Sequence, residues 1–195
     1  RWRAAGPSAR TAASQAADPL DQWTIRNPIE AGIPQSTEFH DILFAQERFV
    51  AAAGIRGSLL ISNDGTSWTE ALTGANGPLI ALAHGDGRFV AVGASLSGPP
   101  PLYASVDGVS WTDQSFSFSA YWNAVAHGNG VFVAVGDSGS SNSGALARSP
   151  DGLTWTPITS TAFPRLTGIA FGNGKFIAVG GYAGLGDGAV VLAST

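Results

Sequence analysis

Leu102–Thr112 reads LYASVDGVSWT, and the chain repeats it as LISNDGTSWT at Leu60–Thr69 and LARSPDGLTWT at Leu146–Thr156. The shared pattern is Ser-x-Asp-Gly-x-Ser/Thr-Trp-Thr, with successive tryptophans 43 and 44 residues apart. Self-similarity at a fixed period of this length is the signature of a repeat architecture. Each copy reads as a β-hairpin. An apolar run such as Leu59-Leu60-Ile61 enters an Asp-Gly pair, which favours a two-residue turn of positive backbone angles. Asp64, Asp107 and Asp151 mark the turns, and Trp68, Trp111 and Trp155 each offer a large ring for burial against a neighbouring sheet. Ser62, Ser105 and Ser149 stand where a hydroxyl reaches back across the turn.

A second hairpin recurs in the same phase: ILFAQERFVAAAG from Ile42, IALAHGDGRFVAVG from Ile80, AVAHGNGVFVAVG from Ala124 and GIAFGNGKFIAVG from Gly168. Each is an apolar strand, a tight turn and an alternating strand with two distinct faces. Four strands in about 44 residues match one blade of a β-propeller. The fourth unit runs to Thr195 without its Asp-Gly-Trp strand, and DPLDQWTIR at Asp18–Arg26 resembles the back half of a repeat. Its Trp23 lies 45 residues before Trp68, in phase.

The expectation is therefore an all-β propeller of four-stranded blades over residues 18–195, with blades at about 40–78, 79–120, 121–165 and 166–195 plus 20–26. Pairing of Leu20–Arg26 with the last unit of its own chain would close four blades and remove exposed edges. Pairing with a neighbouring copy would instead make an oligomer. Residues 1–17, RWRAAGPSARTAASQAA, show no strand or helix period and read as an arm with Trp2 as its anchor.

Composition sets further bounds. Apolar residues make up 44% of the chain, enough for a core, and charged residues only 12%. A net charge of −4 with ten scattered basic residues points away from nucleic acid. With no cysteine there is no disulfide and no zinc-thiolate site. No apolar run approaches the roughly 18 residues of a membrane span. The chain holds no methionine, so Arg1 reads as following a removed leader or as the start of a fragment. The first of these implies an extracytoplasmic location, periplasmic or secreted.

The Ser-x-Asp-Gly-x-Thr-Trp hairpins resemble shortened Asp-boxes, and the unit as a whole resembles bacterial WD40/YVTN/BNR-like repeat proteins over roughly Leu20–Thr195. The box has one residue fewer between Asp and Trp than the usual sialidase form. The resemblance implies a propeller fold in a group that includes sialidases, lectins, receptors and assembly factors.

No catalytic constellation stands out in the sequence. A sialidase-like site needs clustered arginines, a tyrosine nucleophile and an acid, whereas this chain has three tyrosines and scattered arginines. The repeated Asp residues belong to their turns. His84 and His127 share a repeat position that Phe44 and Phe171 hold elsewhere, which marks packing rather than a metal pair. Asp137 and Asp187 sit in Gly/Ser-rich loops without convincing calcium spacing. The reading is no enzyme, no cofactor and no metal.

What remains is surface. Variable loops on a rigid scaffold are where binding concentrates, and here they carry Phe116, Phe118, Tyr121, Trp122, Phe163 and Tyr182. With Trp2 these are the expected partner contacts. The expected function is a non-catalytic protein-interaction scaffold, exported and part of a larger assembly, with protein partners. A glycan-binding lectin is the alternative and a glycoside hydrolase the remoter one.

Overall fold

The computed structural model describes residues 23–24, 38–54, 57–95, 98–116, 118, 121–139, 143–158, 163–181 and 188–194. Among them are fifteen strands and no helix, in four antiparallel sheets that follow chain order. The first sheet is β1 (Phe39–Ala45), β2 (Arg48–Ala53), β3 (Ser58–Ser62) and β4 (Thr69–Leu72). The second is β5 (Leu79–Gly85), β6 (Arg88–Gly93), β7 (Leu102–Ser105) and β8 (Thr112–Asp113). The third is β9 (Tyr121–Gly128), β10 (Val131–Asp137), β11 (Gly144–Ser149) and β12 (Thr156–Pro157). The fourth has three strands, β13 (Leu166–Gly172), β14 (Lys175–Gly181) and β15 (Ala189–Ala193). This is a β-propeller-like arrangement.

The first hairpin of each sheet turns on two residues with positive φ. These are Gln46 and Glu47 at 50° and 57°, Asp86-Gly87 at 47° and 72°, Asn129-Gly130 at 49° and 70°, and Asn173-Gly174 at 48° and 76°. That geometry matches the twist of the flanking strands. The first sheet adopts it with two side-chain-bearing residues, which tolerate positive φ less readily than Gly or Asn.

Packing follows from alternation along the second strand of each sheet. Phe89 and Ala91 of β6 face back and join Val50, Ala52 and Leu59 of the first sheet in one cluster. Val90 and Val92 face forward and join Phe132, Ala134 and Trp155 of the third. Val133 and Val135 repeat the pattern against Leu166 and Ala178 of the fourth. The leading strands β1, β5, β9 and β13 lie side by side in that order.

One expectation about this architecture is corrected. The Asp-Gly turns are not two-residue turns: β3 ends at Ser62 and β4 begins at Thr69, so six residues connect them. The described residues form a succession of four sheets, and closure of the ring by Leu20–Arg26 rests on a segment that lies mostly outside them. Within it, Trp23 and Thr24 belong to no strand, and Trp23 is 90% exposed, unlike its three counterparts. The arm at residues 1–17, with Trp2, lies outside the described residues as well.

Trp122 is the largest fully buried side chain, at 0% exposure between the second and third sheets. Replacing a buried Trp by Ala removes the transfer energy and leaves a cavity. Trp122→Ala should cost about 3–5 kcal/mol in chemical denaturation; a loss of less than about 1 kcal/mol would contradict this packing.

Candidate interaction site

In each Asp-Gly hairpin the aspartate replaces the missing turn ladder. Asp107 Oδ1 accepts from the amides of Val109 and Ser110, both at 2.8 Å, and from Ser105 Oγ at 2.9 Å. Ser105 Oγ in turn accepts from Gly108 N at 2.8 Å, and Trp111 Nε1 donates to Gly108 O at 3.0 Å. The same bonds recur around Asp64 and Asp151. Amides aimed at a carboxylate favour its charged form. The amides of Ser110 and Val109 lower Asp107 to about 2. Those of Ser67 and Thr66 hold Asp64 well below the usual carboxylate range, and those of Thr154 and Leu153 lower Asp151.

The three tryptophans lie against their own sheets' backward faces. Trp155 is buried between the second and third sheets, and Trp111 is half-buried between the first and second. Trp68 packs on Ala53 and Leu60 of the first sheet. The hairpins also serve the contact between sheets: Gly108 sits against Val50 and Phe89, and Gly152 against Arg88, Val90 and Phe132.

His84 and His127 lie against Phe89 and Phe132 with tilted rings, each pair with centroids 4.5 Å apart. Each also reaches the turn of the sheet before it, His84 Nε2 to Gln46 Nε2 at 3.2 Å and His127 Nε2 to Asp86 Oδ2 at 3.1 Å. Burial, then the nearby His127, lowers the pKa of His84. Asp137 faces Arg165 at 3.4 Å and accepts from Gly139 N at 2.8 Å. Among the described residues no three His, Asp or Glu side chains come together as a metal site.

The loop aromatics divide. Phe116 stacks on Phe118 at 5.9 Å, and Phe118 on Trp122 at 5.8 Å. All three belong to the core cluster between the second and third sheets, so Trp122 is core and Phe116 and Phe118 turn inward. Tyr121 is half-buried at the start of β9, and Tyr182 lies outside the described residues.

Phe163 instead lines a cleft of about 570 Å³ between the third and fourth sheets, with Val131, Val133, Leu146, Arg148 and Phe176. Val133 and Phe176 correspond to the pairs that flank Gly108 and Gly152 at the other two sheet contacts. Among the described residues no hairpin fills this third place. One edge of β15 pairs with β14, while the corresponding strands β3, β7 and β11 carry a further strand on the other edge.

No protein-family model and no curated protein matches the sequence. Solved structures share the fold. A chain of a nidogen/laminin complex is 12% identical with a TM-score of 0.57, over 74% of this chain and 57% of that one. The computationally designed Ika4 protein is 13% identical with a TM-score of 0.55, over 83% and 94%. A Trypanosoma rangeli sialidase mutant displaying trans-sialidase activity is 10% identical with a TM-score of 0.53, over 76% of this chain and 30% of that one. The chain thus spans little more than half of the first structure and under a third of the sialidase.

The exclusion of catalysis made from the sequence is corrected by this last likeness. An enzyme shares the architecture, so scattered arginines and few tyrosines do not suffice to exclude one. At these identities the likeness speaks of fold alone. Among the described residues no helix is long and apolar enough to cross a membrane.

The depressed pKa of Asp107 has a pH consequence. Its folded value of about 2 lies below the ordinary 3.8, so the unfolded chain binds more protons in between. The stability it contributes is present above the ordinary value and lost as pH falls through the folded one. Asp107→Asn should flatten the fall of Tm between about pH 4 and pH 2 relative to the parent. An unchanged slope in a thermal melt series would detach Asp107 from acid stability.

Proposed function

We propose that the chain is a protein-interaction module, a subunit of a larger extracytoplasmic assembly, that receives an extended segment of a partner protein along the open edge of β15. The observation that carries this reading is the apolar cleft beside that edge, at the sheet contact where no hairpin lies among the described residues. A strand added to β15 would satisfy its outward backbone groups, and side-chain pockets beside such an edge confer specificity. The cleft wall of Val131, Val133 and Phe176 suits an aromatic side chain, and Phe163 adds a ring to its rim. The third sheet shows the form such a segment takes: β12 pairs with β11, and Trp155 reaches back over its own sheet.

A labelled peptide with the sequence of Ser149–Ile158, SPDGLTWTPI, tests this directly. Fluorescence anisotropy should show saturable binding to the intact chain. Phe163→Ser should weaken it roughly tenfold, the scale of one lost aromatic contact. The same peptide with alanine for tryptophan should bind far more weakly. Absence of saturable binding, or equal affinity of the two peptides, would overturn the proposal.

A further inference from the structure

We propose that the two ends of the four-sheet array bind a second copy of this chain, the first sheet of each copy stacking on the fourth sheet of the other to form one ring of eight sheets. The surfaces involved are the outer faces of the array. They are separate from the edge of β15 and its cleft, so this inference stands apart from the previous one.

The molecule builds the required interface three times within itself, and the ends carry its two unmatched halves. Val90 and Val92, on the forward face of the second sheet, are fully buried by the third. Their counterparts on the fourth sheet, Ile177 and Val179, are 37% and 44% exposed, and Val191 beside them is 68% exposed. On the backward face of the first sheet Ile42 and Phe44 are 56% and 58% exposed. Leu82, the counterpart of Ile42, is buried against the first sheet. The backward face also holds a groove of about 360 Å³ lined by Ile42, Ala51, Gly65 and Trp68.

Two details fit these halves to each other. At the inner end of two of the three contacts an aromatic ring rests on a glycine of the preceding sheet: a Cβ at Gly85 would fall on the His127 ring, and one at Gly128 on the Phe171 ring. Phe44 is the ring in that position with no preceding sheet. Gly172 is the corresponding seat on the fourth sheet, and nothing lies within 4 Å of where its Cβ would be. At the outer end a cation on the second strand meets the next sheet's Asp-Gly hairpin. Arg48 Nη1 donates to Asp107 O at 2.7 Å, and Arg88 lies against Gly152. Lys175 holds this position on the fourth sheet and is exposed, as is Asp64 in the hairpin of the first. Ring meets seat and cation meets acidic turn when a first sheet follows a fourth.

Among the described residues only the first sheet carries the matching half and both end faces stand open, so the occupant is a second copy. Propellers typically hold four to eight blades. Two arrays of four reach the upper end of that range and three would pass it. Two copies related by a two-fold axis use both ends of both chains, leaving no face over to propagate a fibre.

The chain has no cysteine, so Phe44→Cys with Gly172→Cys introduces the only two thiols. Light scattering after size exclusion should give the parent twice the chain mass of 19.9 kDa. Mild oxidation of the double variant should give a covalent dimer on a non-reducing gel. Ile177→Lys should return a monomer with an unchanged β-sheet circular dichroism spectrum. A disulfide within single chains would overturn the proposal in favour of a four-sheet ring. A ladder of higher covalent species would overturn it in favour of an open filament, and a monomeric parent whose double variant keeps both thiols would show that the ends face solvent.

Discussion

A strand with apolar side chains on both faces has no stable place at the surface of a sheet. The second strands here are of that kind. Phe89 and Ala91 point one way and Val90 and Val92 the other, all without exposure. A sheet built on such a strand has to be covered twice, which forces sheets into a stack. Each side chain buried this way contributes on the order of 1.5–3 kcal/mol, so the contacts between sheets carry much of the stability. The same requirement makes an array end costly. Repeat proteins commonly cap their ends with polar faces, and neither end of this array among the described residues is capped so.

The Asp-Gly hairpins belong to that requirement as much as to the turns they close. Amides bonded to each carboxylate fix the loop, and the fixed loop presents its glycine to the sheet before it, as Gly108 does to Val50 and Phe89. A larger residue at Gly152 would press on Arg88 and Val90. Charge supports the same contact through the bond from Arg48 to the Asp107 carbonyl. One short motif therefore joins a turn within a sheet to a contact between sheets.

Much of this was legible in the sequence because the period is written into it. The alternating strands, the tight turns and the tryptophan phase point to an all-β chain of four-stranded units about 44 residues long. What failed did so for physical reasons. Asp-Gly signals a turn without giving its length, which here is set by side-chain bonds to amides two and three residues on. A loop pattern cannot say which side of Phe116 and Phe118 meets Trp122. Trp23 is in phase, yet phase alone does not bury a side chain. The cleft beside Phe163 could not be read at all, since it is the space between two sheets where a hairpin would lie. Pairings between Gln46 and His84, or Asp86 and His127, join residues about 40 apart, and they emerge only once the sheets are stacked.

Sheet order that follows chain order has a consequence for how such a molecule changes over time. Every strand pairing joins segments adjacent in sequence, so contact order within a sheet is low and each hairpin can form early. Coupling runs only between neighbouring sheets, and stability is close to a sum of unit and interface terms. Hydrogen exchange in such a system is expected to be slowest where a sheet has neighbours on both sides and faster toward the ends. A gene encoding it can gain or lose a unit of about 44 residues without cutting a strand from its partner, and recombination can alter the size of the assembly while leaving its parts intact.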